Sequence, residues 1–255
     1  MAARSPAPTP DPTAFQASQA ARPAGGGGPG VLGPVVPPAP PGLDAAAGTA
    51  PLLGAPGGGA QAKLRLSPEG RRFIMREEGQ GPATLVPHWP GGNSGVTLGF
   101  GYDLGGRTAA EVLADLQASG LEAAAAEAMA GAAGRTGDKA REWVARHAGA
   151  VRLTLSQREA LFERTVPPYE AAVRRGVAVP VNPNEFDALV SFAFNAGPGA
   201  FARSAFRAAL NEGDRARAAE LWADTRIPAD PRLAAGIRGR RQREIALFLR
   251  PYGGH

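Results

Sequence analysis

Glu78, Thr97 and Asp103 are the residues in this 255-residue chain whose types and spacing suit chemistry. They lie in the stretch EEGQGPATLVPHWPGGNSGVTLGFGYDLG, residues 77–105, which is rich in glycine and holds no other Asp or Glu between Glu78 and Asp103. Two carboxylates around one loop is what glycoside hydrolysis needs. One acid protonates the leaving oxygen, and an ionised partner activates water or stabilises charge developing on the sugar. Thr97, six residues before Asp103, supplies an oxygen that can hold such a water. Glycines let the backbone approach a bulky polysaccharide without Cβ clashes. Plainer readings stand beside these. Glu78 can be an ordinary helix end, Thr97 a strand residue and Asp103 the cap of a turn. Glu77 reads as a salt-bridge or solvent residue.

These side chains need elements to position them. Ser67-Pro68-Glu69 carries a helix start signal, with Ser at the N-cap and Pro in the first turn. Phe73 and Ile74 face inward, and the helix is expected to stop near Gly79, which puts Glu78 in its last turn. A helix C-terminus carries partial negative charge, which favours the protonated form of an acid placed there, as a general acid requires. Residues 80–106 read as a small β-hairpin subdomain with tight turns. Helices follow over 108–133 and 136–147. Ser156 with Glu159 forms a capping-box pattern ahead of ALFERTV, and Pro167-Pro168 interrupts that helix. Asn182-Pro183-Asn184-Glu185 starts a helix whose apolar face holds Phe186, Leu189, Val190, Ala193 and Phe194, and Gly197 ends it. Three more helical segments are expected near 203–211, 214–226 and 238–249. The fold class is α+β, mostly α, with a small hairpin lobe and a larger helical lobe.

Composition sets the outer limits. Residues 1–62 hold 13 Pro, 12 Gly and one aromatic residue, too little apolar surface to offset the entropy of ordering, and read as a disordered Pro/Gly/Ala-rich arm. Residues 63–255 are long enough for one domain with a sizeable core. Cysteine is absent and the three histidines have no ligand spacing, so neither a metal nor any other cofactor is expected. No apolar run is long enough to span a bilayer, and the N-terminus lacks a standard secretory signal. The net charge of +5 resides in residues 203–255, which carry 11 Arg against 6 Asp or Glu. A basic C-terminal face suits a polyanion, either nucleic acid or an acidic wall polymer, and equally a solvated helical surface. No nucleic-acid-binding motif is visible.

Glu78-Gly79 with Thr97-Leu98-Gly99-Phe100-Gly101 resembles the phage-type lysozymes, glycoside hydrolase family 24. The likeness resumes in LTLSQREAL, NEFDALVSFAFNAGPGAF, ALNEGDRARAAELW and GIRGRRQREIALFL, and so covers most of residues 67–249. It implies a lysozyme-like fold and an inverting muramidase that cleaves the β-1,4 bond from N-acetylmuramic acid to N-acetylglucosamine. The common phage pattern has its catalytic Asp about six residues before the Thr. That position here is Gly91, and Asp103 lies six residues after Thr97 instead. The order Glu, Thr, Asp resembles the pesticin-like branch, and implies Glu78 as acid, Asp103 as activator of water and Thr97 as its holder. Substrate-binding candidates are Tyr102 and Trp89, which suit stacking on sugar rings or packing of the small lobe, and Asn195, which faces the family's groove or caps its own helix. Either Arg240 or Arg241 resembles an arginine that pairs with the catalytic Glu in some relatives.

Peptidoglycan is the partner these residues imply, with no nucleic acid and no membrane span, for a monomer made in the cytoplasm that acts in the periplasm or cell wall. A phage endolysin and a secreted antibacterial effector both fit. In the second case residues 1–62 dock on a secretion machine and an immunity protein restrains the enzyme. A lytic transglycosylase, which needs no positioned water, and a non-catalytic wall-binding module are the alternative readings.

Overall fold

The computed structural model describes residues 63–79, 81–147 and 149–253. The expected arm over 1–62 and His255 lie outside them. Helix α1 (Pro68–Glu77) begins as its sequence dictates: the Ser67 side chain accepts from the Gly70 N–H and Pro68 sits in the first turn. Asp187 clamps that cap by accepting from the Ser67 N–H at 2.9 Å and from the Ser67 hydroxyl. Glu78 is the C-cap, and Gly79 leaves the helix at φ +85°, a region that glycine occupies without a Cβ penalty.

A 3-10 turn (Pro82–Leu85) that the sequence did not signal leads into the hairpin β1 (Thr97–Leu98) and β2 (Tyr102–Asp103). The register pairs Thr97 with Asp103 and Leu98 with Tyr102. Helices α2 (Ala109–Ala118) and α3 (Ala123–Ala130) replace the single segment expected over 108–133. Gly120 at φ +86° breaks it, and the Ser119 hydroxyl turns back on the Asp115 carbonyl at 2.7 Å. Next come α4 (Gly137–His147) and α5 (Leu155–Thr165). The capping box of α5 is Thr154 with Gln157, not Ser156 with Glu159. Both pairs fit the pattern, but Gln157 also donates to the Gly120 carbonyl at 2.6 Å, which ties the helix start to the α2–α3 turn.

Pro167 and Pro168 end α5 and open α6 (Pro167–Gly176). Helix α7 (Pro183–Ala196) has the expected Asn182 cap and Gly197 stop. It is followed by α8 (Pro198–Ala202), α9 (Ala205–Asn211), α10 (Arg215–Ala223) and α11 (Pro231–Phe248). Helix α8 is an unexpected extra turn. Helix α11 starts at Pro231 rather than near 238, a first-turn proline signal hidden by the charged sequence that follows.

Two apolar cores result. The larger surrounds α7, every residue of which from Asn184 to Phe194 is buried, and which packs on α1, α6, α8 and α11. Burial on all sides requires each polar residue of α7 to have a partner. Asp187 takes Ser67, Ser191 donates to Glu244, and Glu185 pairs with Arg215. The smaller core gathers Leu98, Tyr102 and Leu104 with Val112, Leu116 and Trp143. Phe100, at the hairpin turn, crosses into the larger core and meets Phe162 edge-on at 6.0 Å. The hairpin therefore fastens one lobe to the other. Among the described residues no helix is long and apolar enough to cross a membrane.

Candidate active site

Glu78 ends α1 against the larger core and keeps about a quarter of its side chain exposed, at 26%. Its Oε1 accepts from Arg240 Nη1 at 2.8 Å, which settles the choice between the two arginines for Arg240. Arg240 in turn donates its Nε to Glu244 at 3.1 Å. Arg241 donates to the other oxygen of Glu244 at 2.6 Å and to Asn195 Oδ1 at 2.8 Å. Asn195 is thus held by an arginine of α11 and does not serve as a cap for its own helix. Glu77 points elsewhere and makes a bidentate pair with Arg243 at 2.6 and 2.8 Å, the salt-bridge role expected of it. Arg240 and Glu244 were legible only as parts of the GIRGRRQRE segment. The α11 spacing of four residues is what puts both on the face turned to Glu78 and α7.

Asp103 belongs to the other lobe. It is buried, its Oδ1 accepts from the Gly105 N–H at 2.6 Å, and its Oδ2 accepts from the Gly95 N–H at 3.1 Å. Each oxygen keeps a free lone pair, so the carboxylate is fixed in direction while retaining capacity to accept. Gly95 is required here for space: a Cβ on it would lie 2.1 Å from Asp103 Oδ1 and 2.3 Å from the Gly105 nitrogen. Thr97 stands directly across the ladder from Asp103 and bridges His88 on its other side, with 2.8 and 3.0 Å backbone bonds. Its main chain is therefore pinned from both sides, and its hydroxyl donates weakly to the Gly95 carbonyl at 3.3 Å. Gly91, the position of the Asp in the common phage pattern, lies in open space at φ +111°.

Tyr169 connects the two lobes electrostatically, and sequence reading missed it. It opens α6, is half-buried and packs on Phe194 with ring centroids 4.8 Å apart. Its phenol is pushed up to about 12, mainly by burial and further by the charges of Glu78 and Asp103, with Arg107 opposing them. Glu78 and Asp103, from different lobes, both add to that upward shift. The only sequence signal for Tyr169 was an aromatic residue next to a helix-opening Pro pair.

Tyr102 does not offer a face to a sugar. Its ring is fully buried in the small-lobe core, its hydroxyl donates to Asp115 at 2.8 Å, and the Arg107 guanidinium covers it at 4.2 Å. Strand alternation puts Tyr102 and Asp103 on opposite faces of the hairpin, and both are buried. Trp89 is half-buried and packs against the same core, with Arg141 5.8 Å from its ring centroid. The basic C-terminal face is also revised. Arg215, Arg217, Arg238, Arg240, Arg241, Arg243 and Arg250 are all ion-paired, four of them to Glu69, Glu77, Glu78 and Glu185 from outside the segment.

A larger helical lobe with a small two-stranded hairpin lobe is the lysozyme-like arrangement. A family model described as a domain of unknown function (DUF8812) matches residues 77–188. The endolysin of Bacillus phage PZA is 38% identical over 96 residues, which is 38% of this chain and 37% of that protein. The endolysin of Salmonella phage P22 is 35% identical over 105 residues, covering 40% of this chain and 68% of that protein. Among solved structures, the muramidase domain of SpmX from Asticaccaulis excentricus superposes with a TM-score of 0.50 at 25% identity, covering 74% of this chain and 100% of that one. The chain belongs to the phage endolysin family, the phage-type lysozymes. It spans little more than a third of the PZA protein, at 37%.

Proposed function

We propose that this protein is a peptidoglycan muramidase that hydrolyses the β-1,4 bond from N-acetylmuramic acid to N-acetylglucosamine with inversion. The observation that carries this reading is a pair of held carboxylates on different lobes, Glu78 gripped by Arg240 at the end of α1 and Asp103 gripped by the Gly95 and Gly105 N–H groups on the hairpin. Glu78 gives its proton to the glycosidic oxygen as the bond to the anomeric carbon breaks. A water held by the Thr97 hydroxyl attacks that carbon from the opposite face and passes a proton to Asp103. Arg240 fixes where Glu78 points, since a charge-assisted bond from a guanidinium restricts the carboxyl in angle as well as distance. Glu, Thr, Asp is the chain order of the machinery, as in pesticin-like muramidases, and Asn195 and Trp89 contact the glycan.

The test is a peptidoglycan zymogram with Glu78→Gln. The variant is isosteric and keeps an acceptor for Arg240, so the fold should persist by circular dichroism. Clearing should fall by about 10²–10⁴-fold, the usual worth of a general acid. Undiminished clearing by a folded variant would remove Glu78 from that role.

A further inference from the structure

Glu244 is a carboxylate at 0% exposure in the middle of α11, and it does not touch the site. An isolated buried charge is costly, so such a group persists only with partners. It has three. Its Oε1 accepts from Ser191 Oγ at 2.8 Å and from Arg240 Nε at 3.1 Å, and its Oε2 accepts from Arg241 Nη1 at 2.6 Å. Both arginines reach onward into the site. Arg240 continues to Glu78 and Arg241 to Asn195, each at 2.8 Å. A guanidinium is a rigid planar fork, so fixing one edge fixes what the other edge presents.

We propose that Glu244 is a positioning residue: by anchoring Arg240 and Arg241 through one buried carboxylate, it sets the placement of Glu78 and of Asn195 together. The proposal rests on Glu78 being the acid. Two independent features support it. Ser191, on the central helix, binds the same oxygen as Arg240, and Arg240 Nη2 also lies 3.4 Å from the Ser191 carbonyl, so the guanidinium is seated from two helices. In addition, Glu244 shares the charge of Arg240 with Glu78. The charged and titratable groups around Glu78 in this argument are Arg240, Arg241 and Glu244 from α11, Tyr169 from α6, and its neighbour Glu77, which Arg243 occupies.

The experiment compares the full-length protein with Glu244→Gln and Glu244→Asp on soluble peptidoglycan fragments, well below each melting temperature. Glu244→Gln should lower kcat by about 10–100-fold, the range typical of removing a partner that orients a reacting group. KM should stay within about twofold. Glu244→Asp, which keeps the charge that anchors the two arginines, should recover part of the lost kcat. An unchanged kcat in a folded Glu244→Gln variant would reduce Glu244 to a structural role and overturn the proposal. Should Glu244→Gln not fold, Ser191→Ala removes one anchor without burying a new charge, and the same kcat loss is expected. A crystal structure of either variant reads the claim without reference to catalysis. Loss of the 2.8 Å Arg240–Glu78 contact supports it and retention overturns it, whichever residue proves to be the acid.

Discussion

Glu78 and Asp103 are both carboxylates in one short stretch of sequence, yet the chain holds them by different chemistry. Glu78 is gripped through one oxygen by a cation on a helix 162 residues away. Asp103 is held by two backbone N–H groups of its own hairpin, an arrangement set by glycines 95 and 105 rather than by any partner side chain. The first is oriented by a buried guanidinium, while the second is a fixed acceptor. His88 belongs to the same scale, because its backbone pins Thr97 while its ring is desolvated. Burial holds that imidazole below its ordinary 6.5, partly offset by a bond to the Val86 carbonyl. Its folded-state pKa is depressed, so the unfolded chain binds the proton more readily. The stability this contributes is complete above pH 6.5 and is lost as the pH falls through the folded value. The melting temperature should therefore drop on acidification below that point, and His88→Gln should flatten the drop. Equal slopes in both proteins would exclude His88 as the source.

At the scale of elements, the hairpin does most of the work of placing the site. Leu98 and Tyr102 bury in the small core while Phe100 inserts in the large one, so the strand pair carrying Thr97 and Asp103 cannot shift relative to either lobe. Gly95→Ala tests this without touching a reacting group. Its Cβ would collide with Asp103 Oδ1 at 2.1 Å and with the Gly105 nitrogen at 2.3 Å, so the carboxylate and the backbone that holds it must both move. A displacement of that size should cost about 10²-fold in hydrolysis, with KM little changed, as read on soluble fragments; full activity would show that the direction of Asp103 is not critical. Much of this was legible in the sequence. The Ser67 and Asn182 caps, the Pro167 break and the Gly197 stop are local signals, and each sits where the residues put it. What was not legible depended on distant partners. Thr154 rather than Ser156 caps α5 because Gln157 finds the Gly120 carbonyl. Tyr102 points inward because strand alternation is set by which face meets α2, and a two-residue strand is too short to display it. Tyr169 gave only the signal of an aromatic residue after a Pro pair, and nothing near it in sequence says that the charge of Glu78 reaches its phenol.

On the scale of the molecule, the last helix closes the structure onto the first. Arg250, Arg243 and Arg240 of the C-terminal segment meet Glu69, Glu77 and Glu78 along α1. The outermost pair, Arg250 with Glu69, is roughly half exposed on both sides and contributes at most about 1 kcal/mol. The innermost, Arg240 with Glu78, is the least exposed of the three. The row is thus graded from a surface ion pair to a largely buried one along a single helix pair. It also accounts for a basic C-terminal sequence that leaves most of its charge neutralised on folding. The central claim is that two lobes bring one acid and one water-activating carboxylate to opposite sides of a sugar bond. Mass spectrometry of muropeptides released from purified sacculi tests it most directly. The account predicts fragments ending in reducible N-acetylmuramic acid, released by the intact protein and lost with either Glu78→Gln or Asp103→Asn. Anhydro-muramic ends, reducing N-acetylglucosamine ends, or undiminished release by a folded Asp103→Asn variant would contradict it.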